Sequence, residues 1–375
     1  MITYLLPTRN RHERLSATLR QLASLSFAAH DAVGGAEIII VDDASDLPVR
    51  LPPRLTNAMP VTVLRRPRQE GASARNAAVR AARGEWVIML DDDSWPVDGS
   101  VIEILPNVSD DVAAVGSQIL LADGTREAGG LPEVFVGCGA AIRRHAFLDA
   151  GGYDAAFHYY VEEYDLCARL IMRGWRIIHD WRFVVRHEKV QDGRDMNRIL
   201  HRLVRNNAWL TQRYAPSEVL ADALRGIFDR YAGIAESQGA QEGFEQGRCD
   251  GLATLEAQPR TPMPMDQWDR FTGRAHVRRT LAGFENPRSR IAIIERGKNE
   301  TVIESVLDEL RWPIASSDDA EALIIGTLSP GPMMDAWERR LHDPRPVIRP
   351  WIPEQSSGIA HASENERRLT RMRRV

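Results

Sequence analysis

Short apolar runs alternate with helix-period segments along the first hundred residues. "ITYLL" (2–6) runs into Pro7, after which Leu15, Leu19 and Leu22 recur at helical spacing. "EIIIV" (37–41) is a compact β-branched run that stops at Asp42 and Asp43, and "VTVL" (61–64) is a further short strand. "GASARNAAVRAAR" (71–83) predicts an alanine-rich helix closed by Gly84, feeding straight into the strand "EWVIML" (85–90). This alternation predicts an α/β fold: a mostly parallel sheet with helices on both faces, whose ligands bind at the carboxyl ends of the strands. Three of those ends are polar, namely Pro7-Thr8-Arg9-Asn10, Asp42-Asp43 and Asp91-Asp92-Asp93. One edge of the sheet is therefore expected to be an acid-rich cleft.

A second informative pattern lies in "GGYDAAFHYYVEEYDLCARLIMRGWRIIHDWRFVVRHE" (151–188). From Val161 it predicts a helix with Leu166, Leu170 and Ile171 as its apolar stripe and Gly174 as its stop. Phe183, Val185 and His187 then share one face of a strand that ends at the histidine.

Composition narrows the function classes. The 375 residues, 43% of them hydrophobic, can fill at least one sizeable core, and 48 basic against 52 acidic side chains leave a formal charge of -4. That balance offers no bulk attraction to nucleic acid or to anionic membranes, so a polyanion site must be local. Cys138, Cys167 and Cys249 are odd in number and far apart, which fits no disulfide framework or zinc spacing. A reducing cytoplasm is the expected home. "MITYLLPTRN" has no basic leader, and nowhere do 18 apolar residues run without a charge.

If residues 91 to 93 stay extended, the two-residue period points Asp91 and Asp93 one way and Asp92 the other. Two carboxylates on one side suit a hard divalent cation, which takes oxygen ligands and bridges carboxylates to phosphates. Acidic residues also cap strand ends in ordinary solvated loops, so the triplet alone does not decide. Glu162, Glu163 and Asp165 sit in a first helical turn, where the macrodipole favours acids whatever their role. Phe157, Tyr159, Tyr160 and Tyr164 flank that turn; as walls of a pocket they would desolvate one carboxylate and make it a general base. His187 is a lone histidine with either a structural role or a place beside the aspartates at a metal.

Taken in order and spacing, "VDDAS", "GASARNAAVRAARGEWVIMLDDDSWP", "GGYDAAFHYYVEEYDLCARLIMRGW" and the closing "RHE" resemble glycosyltransferase family 2, inverting enzymes of the Rossmann-like GT-A fold, over about residues 1 to 212. The resemblance implies a nucleotide-sugar donor (UDP-, GDP- or dTDP-linked), a hydroxyl acceptor (saccharide, lipid-linked glycan or small molecule) and a divalent metal, Mn²⁺ or Mg²⁺. It places Asp43 and Arg75 at the base and diphosphate of the donor with Thr8 and Arg9 close by, and Asp91 at the ribose. It puts Asp93 and His187 at the metal. Asp92 falls within the donor-binding triplet while the strand period turns it away. Glu163 stands where the family's catalytic base is an aspartate, and Glu162 precedes it. This Glu-Glu pair departs from the usual Glu-Asp, which leaves Glu163 or Glu162 as the base. Asp165 is expected to brace Arg169 as a helix-surface ion pair.

The implied domain order is a catalytic domain over residues 1–215, a helical segment and connector over 216–287, a small α/β unit over 288–352 and a basic tail over 353–375. Within the middle part, "SEVLADALRGIFDRYAGIAESQ" is helical, "PRTPMPMDQW" is a connector, and a basic helix surrounds Val277. The small unit alternates strand and helix over about three strands, without a GxGxxG turn. Acceptor recognition, dimerisation and plain support are its open roles. The tail "ENERRLTRMRRV" is a solvated end or a contact with the inner membrane face. Two rival functions are a non-catalytic nucleotide-sugar binder or partner subunit, and a sugar-phosphate nucleotidyltransferase; "PTRNRHERL" lacks the glycines a triphosphate loop needs.

Overall fold

The computed structural model describes residues 1–26, 30–189, 195–284, 286 and 289–353. The basic tail from residue 354 onward thus lies outside the described residues. The first sheet is built from β1 (Ile2–Thr8), β2 (Ala36–Asp42), β3 (Val61–Arg65), β4 (Trp86–Met89), β5 (Ser94–Pro96), β6 (Val112–Leu121), β7 (Ala140–Arg143) and β8 (Arg176–His187). Helices α1 (His12–Ser24), α2 (Arg75–Ala81), α3 (Ser100–Ile104), α4 (Arg144–Asp149) and α5 (Glu162–Met172) connect them.

The strand order is β3-β2-β1-β4-β7-β6-β8-β5. Parallel pairing runs from β3 to β4 and again between β6 and β8, whereas β7 and β5 join antiparallel. The direction in which the sheet grows reverses at β1, which has β2 on one side and β4 on the other. A crevice opens at such a switch point, just beyond the carboxyl ends of the strands. Pro7 sits inside β1 without harm because the β1–β4 ladder has already ended at Leu5 and Met89.

Strand alternation feeds two cores. Tyr4, Leu6, Ile38, Ile40 and Ile88 pack with Leu15, Leu19 and Leu22 of α1 on one face. Leu5, Ile39, Val41, Val87 and Met89 pack with Ala78 and Val79 of α2 on the other. The alanine-rich stretch is not one helix: Gly71–Ala74 is a 3₁₀ turn, with Gly71 at φ +63°, and the α-helix begins at Arg75.

Beyond the sheet come α6 (Met196–Tyr214), α7 (Leu220–Gln238), α8 (Gln241–Ala253), α9 (Met265–Thr272) and α10 (Arg274–Ala282). Helix α8 has no counterpart in the sequence reading, because its glycines 243, 247 and 251 look like breakers. Their spacing of four puts them on one face, where α8 lies against α6. A Cβ on Gly243 or Gly247 would stand 2.1 Å from the Asn197 carbonyl or 2.4 Å from that of His201. The last unit has β9 (Ile291–Ile294), α11 (Glu300–Glu309), β10 (Ala322–Ile325), α12 (Pro330–Arg339) and β11 (Val347–Ile348), with a three-stranded parallel sheet. Its Ile291, Ile324 and Trp351 belong to the same apolar core as Val41 and Met89. No helix among the described residues is long and apolar enough to cross a membrane.

Candidate active site

The aspartate triplet is a turn, not an extended strand. Ser94 N donates to Asp91 O at 3.2 Å, and β5 starts at Ser94. This corrects the period-two expectation that pairs Asp91 with Asp93. Asp92 and Asp93 share the Arg11 guanidinium, whereas Asp91 turns to Arg75. Three like charges in one row would repel; the turn hands them to two arginines instead. Thr8 Oγ1 donates to Asp92 Oδ2 at 2.7 Å and Thr18 Oγ1 to the Asp92 carbonyl at 2.7 Å, while Arg11 takes Asp92 Oδ1, so both carboxylate oxygens of Asp92 are engaged within the protein. Burial raises the Asp92 carboxyl to about 7 against the pull of Arg11 and Thr8. In Asp93 burial acts the same way, but His187 and Arg11 outweigh it and hold the group below the usual range.

Asp43 is buried at the end of β2, its oxygens accepting from Glu70 N at 2.8 Å and Gly71 N at 3.0 Å. Burial lifts its proton affinity. Its own N–H donates to the Thr8 carbonyl at 2.9 Å, which ties the two strand ends together. Asp42 takes Ser45 N, Val49 N and Arg65 and closes the turn beneath. Thr8, Asp43, Arg75, Asp91 and Asp92 thus meet at one edge, while Arg9 stays exposed at the rim with Nε 3.4 Å from the Ala44 carbonyl.

His187 ends β8 facing inward, on the same side as Phe183 and Val185. Its Nε2 lies 3.4 Å from Asp93 Oδ1; its Nδ1 lies 3.3 Å from Glu127 Oε2 and 3.5 Å from Cys138 Sγ. Burial would discharge it, but Asp93, Cys138 and Glu127 hold it well above the usual histidine range. Asp91, Cys138 and His187 each offer a ligand atom within 4.8 Å of the others. A carboxylate with one imidazole fits a divalent cation such as Mn²⁺, and Asp93 lies on the other contact of the same imidazole; Cys138 is a softer donor, a buried thiol raised to about 11. Arg11, Glu127 and Cys138 escaped the sequence reading because nothing in their local pattern marks them.

The loop before α5 is the strained part. His158, Tyr160 and Val161 all have positive φ, between 60° and 75°, each an uncommon state for a residue with a side chain. Asn206 of α6 holds the loop: its Nδ2 lies 3.0 Å from the carbonyls of Phe157 and Tyr159 and 2.8 Å from that of Tyr160. Asp165 is buried rather than at the surface, a correction to the expected surface pair. It binds Arg169 and also Arg213 and Tyr214 of α6. Helix α6 therefore clamps both the loop and the helix that carries the two glutamates.

Glu162 is buried, its Oε2 without a hydrogen-bond partner among the described residues, and burial with the adjacent Glu163 charge raises it well above its normal range. Glu163 is half-buried; its Oε1 accepts from Gly137 N at 3.1 Å, and burial raises it too, with Arg75 opposing. A Cβ on Gly137 would lie 2.7 Å from that oxygen, so only glycine leaves Glu163 its place. The expected aromatic walls differ among themselves. Phe157 is core, edge-on to Trp209, Tyr160 is exposed, and Tyr164 binds Lys298 of the last unit.

The sequence model of Glycosyl transferase family 2 matches residues 3–155. A pre-mycofactocin glycosyltransferase of Mycobacterium tuberculosis is 31% identical over 218 residues, 52% of this chain and 44% of that protein. An uncharacterized glycosyltransferase of Haemophilus influenzae is 27% identical over 200 residues, 46% of this chain and 62% of that protein. The chain thus spans less than two thirds of the length of these relatives. Among solved structures, S. aureus TarS 1-349 in complex with UDP-GlcNAc superposes with a TM-score of 0.50 at 12% identity, covering 82% of this chain and 90% of that one. That likeness speaks for the fold.

Proposed function

We propose, from the match of residues 3–155 to the model of glycosyl transferase family 2, that the chain moves a sugar from a nucleoside-diphosphate sugar to an acceptor hydroxyl, with inversion. The observation that carries this reading is Glu163: a half-buried carboxylate fixed by Gly137 N, in the field of Arg75 and Asp91, whose proton affinity burial raises. Glu163 takes the acceptor proton as the hydroxyl oxygen bonds to the anomeric carbon. The bond from that carbon to the diphosphate breaks, and the diphosphate leaves with the electron pair. A single displacement of this kind inverts the anomeric centre.

Asp43 and Arg75 belong to the donor's base and diphosphate, Asp91 to its ribose, and Thr8 with Asp92 shapes the floor beneath them. Asp93 and His187 hold the cation, with Asp91 in reach of the same histidine. When bound, the metal supplies positive charge to the departing diphosphate. Glycan, glycolipid or natural-product synthesis in the cytoplasm, where nucleotide-sugars are made, belongs to the same reading.

The test is release of UDP, GDP or dTDP from a panel of nucleotide-sugars with and without Mn²⁺. Release from one donor, dependent on Mn²⁺, is the expected result. A donor that raises the melting temperature without any release would instead make the chain a non-catalytic binder. Neither response to any donor would overturn the reading.

A further inference from the structure

Of the 48 basic side chains only two are lysines, Lys189 and Lys298; Lys189 pairs with Glu127 and Lys298 with Tyr164, the residue after Glu163. Lys189 binds Glu127 at 2.7 Å, beside His187. Lys298 comes from the last unit, on the loop between β9 and α11. Leu328 N and Thr327 Oγ1 donate to its carbonyl at 3.1 and 3.3 Å and fix that loop. Its Nζ donates to the Tyr164 hydroxyl and sits 4.8 Å from the centre of the Tyr164 ring. Tyr164 follows Glu163 directly on α5.

Beside Lys298 lies a second cation. Arg230 of α7 donates to Asn299 Oδ1 at 3.2 Å and covers the Tyr231 ring at 5.3 Å. Among the described residues neither Lys298 nor Arg230 has a carboxylate in ion-pair contact, which sets them apart in a chain rich in arginine–carboxylate pairs. Burial presses the Lys298 amine down to about 7, Arg230 pushes the same way, and only the field of Glu163 opposes. An anion bound there would hold Lys298 in its ammonium form and balance Arg230. Of the three ammonium protons one goes to Tyr164, which leaves two for a ligand.

We propose that Lys298, with Arg230 beside it, binds an anionic group of the acceptor, a carboxylate or a phosphate, while the acceptor hydroxyl faces Glu163. The proposal rests on the transferase reading, because Glu163 defines where the acceptor lies. The last unit then supplies one wall of the acceptor site and selects for charge.

Competitive amine acylation of the whole chain near neutral pH tests this, with peptides carrying Lys298 and Lys189 quantified by mass spectrometry. The probes are glucose, glucose 6-phosphate and glucuronate. One of the two anions should slow acylation of Lys298, about tenfold at ten times its Kd, while Lys189 reacts as before and glucose has no effect. Which anion protects tells phosphate from carboxylate. Arg230→Gln should shift that protection to higher probe concentration. Equal or no protection by anions and glucose overturns the proposal, as does equal slowing of both lysines. Labelling needs no turnover, so the two readings fail separately: protection without nucleotide release removes the transferase, and release without protection removes the anion site.

Discussion

Glu162 and Glu163 are sequence neighbours in unlike surroundings, and their titration separates them. Both folded proton affinities lie above the ordinary glutamate value, so the native state holds protons that the unfolded chain has already lost. Stability therefore falls as pH rises from the ordinary carboxylate range through the raised one. Glu162→Gln, at the buried carboxyl with an unpartnered oxygen, should flatten that fall in a melting-temperature series against pH and leave turnover largely intact. Glu163→Gln should lose on the order of 10² to 10⁴ in kcat with donor binding retained, and the wild-type rate should rise with pH above the usual glutamate range. Near-normal turnover in Glu163→Gln with loss in Glu162→Gln would exchange the roles. At the proposed metal position the same logic runs through His187, whose proton affinity Asp93, Cys138 and Glu127 raise against burial. A cation must displace that proton, so Mn²⁺ binding should strengthen as pH rises. Asp93→Asn should weaken it about tenfold or more; electron spin resonance of free Mn²⁺ reads both, and unaltered affinity would remove Asp93 from the metal.

At the scale of elements, legibility followed the kind of signal. "EIIIV" and "EWVIML" announce β2 and β4 because a fully buried parallel strand needs a continuous apolar run. The polar strand ends announced the crevice for the same reason, but the triplet's turn did not show, since a hydrogen bond from Ser94 N decides it rather than any period. The brace behind the glutamates was equally silent: Asn206 reaches carbonyls 46 to 49 positions away. Asn206→Ala should cost about 1–3 kcal/mol, the penalty for buried polar groups left unpaired, and lower kcat by freeing the loop that aims Glu163. Denaturant unfolding with steady-state kinetics measures both, and an active variant of unchanged stability would show the loop to be self-supporting. Helix α8 escaped because glycine disfavours helix in isolation, whereas here it admits a neighbouring backbone. Gly247→Val should destabilise by about 1–3 kcal/mol, the usual cost of overpacking, because the obstacle is the His201 carbonyl and not a movable side chain. Gly251→Ala meets Ala208 Cβ at an ordinary 3.4 Å and should be neutral or mildly stabilising. Equal losses at both glycines would mean that helix propensity, not close approach, governs α8.

On the scale of the whole molecule, the last unit is not an appendage on a linker. Its apolar residues continue the core under the large sheet, and charged contacts lock the seam. Arg126, its side chain 1% exposed, donates to Gln118 Oε1 and pairs with Asp335 and Glu338 of α12; from the helices that lead into the last unit, Arg270 of α9 and His276 of α10 close on Glu133 at 2.6 and 3.1 Å. Apart from Gln118, these partners stand more than a hundred positions apart, which is why no local pattern foretold the docking. A shared core makes unfolding of both parts one cooperative event, with a single transition by calorimetry and by near-ultraviolet circular dichroism. Arg126→Ala takes the buried guanidinium from Asp335 and Glu338 at the seam, and removing one partner of such a buried set costs about 3–5 kcal/mol. The loss falls on the contact between the parts, so the single transition should split, the last unit melting first and carrying Lys298 away from Tyr164. Quenching of Trp351, which sits against His179 across the seam with ring centres 5.5 Å apart, reports that first step. A variant that still melts in one transition at the wild-type temperature would show that the apolar core alone joins the two parts.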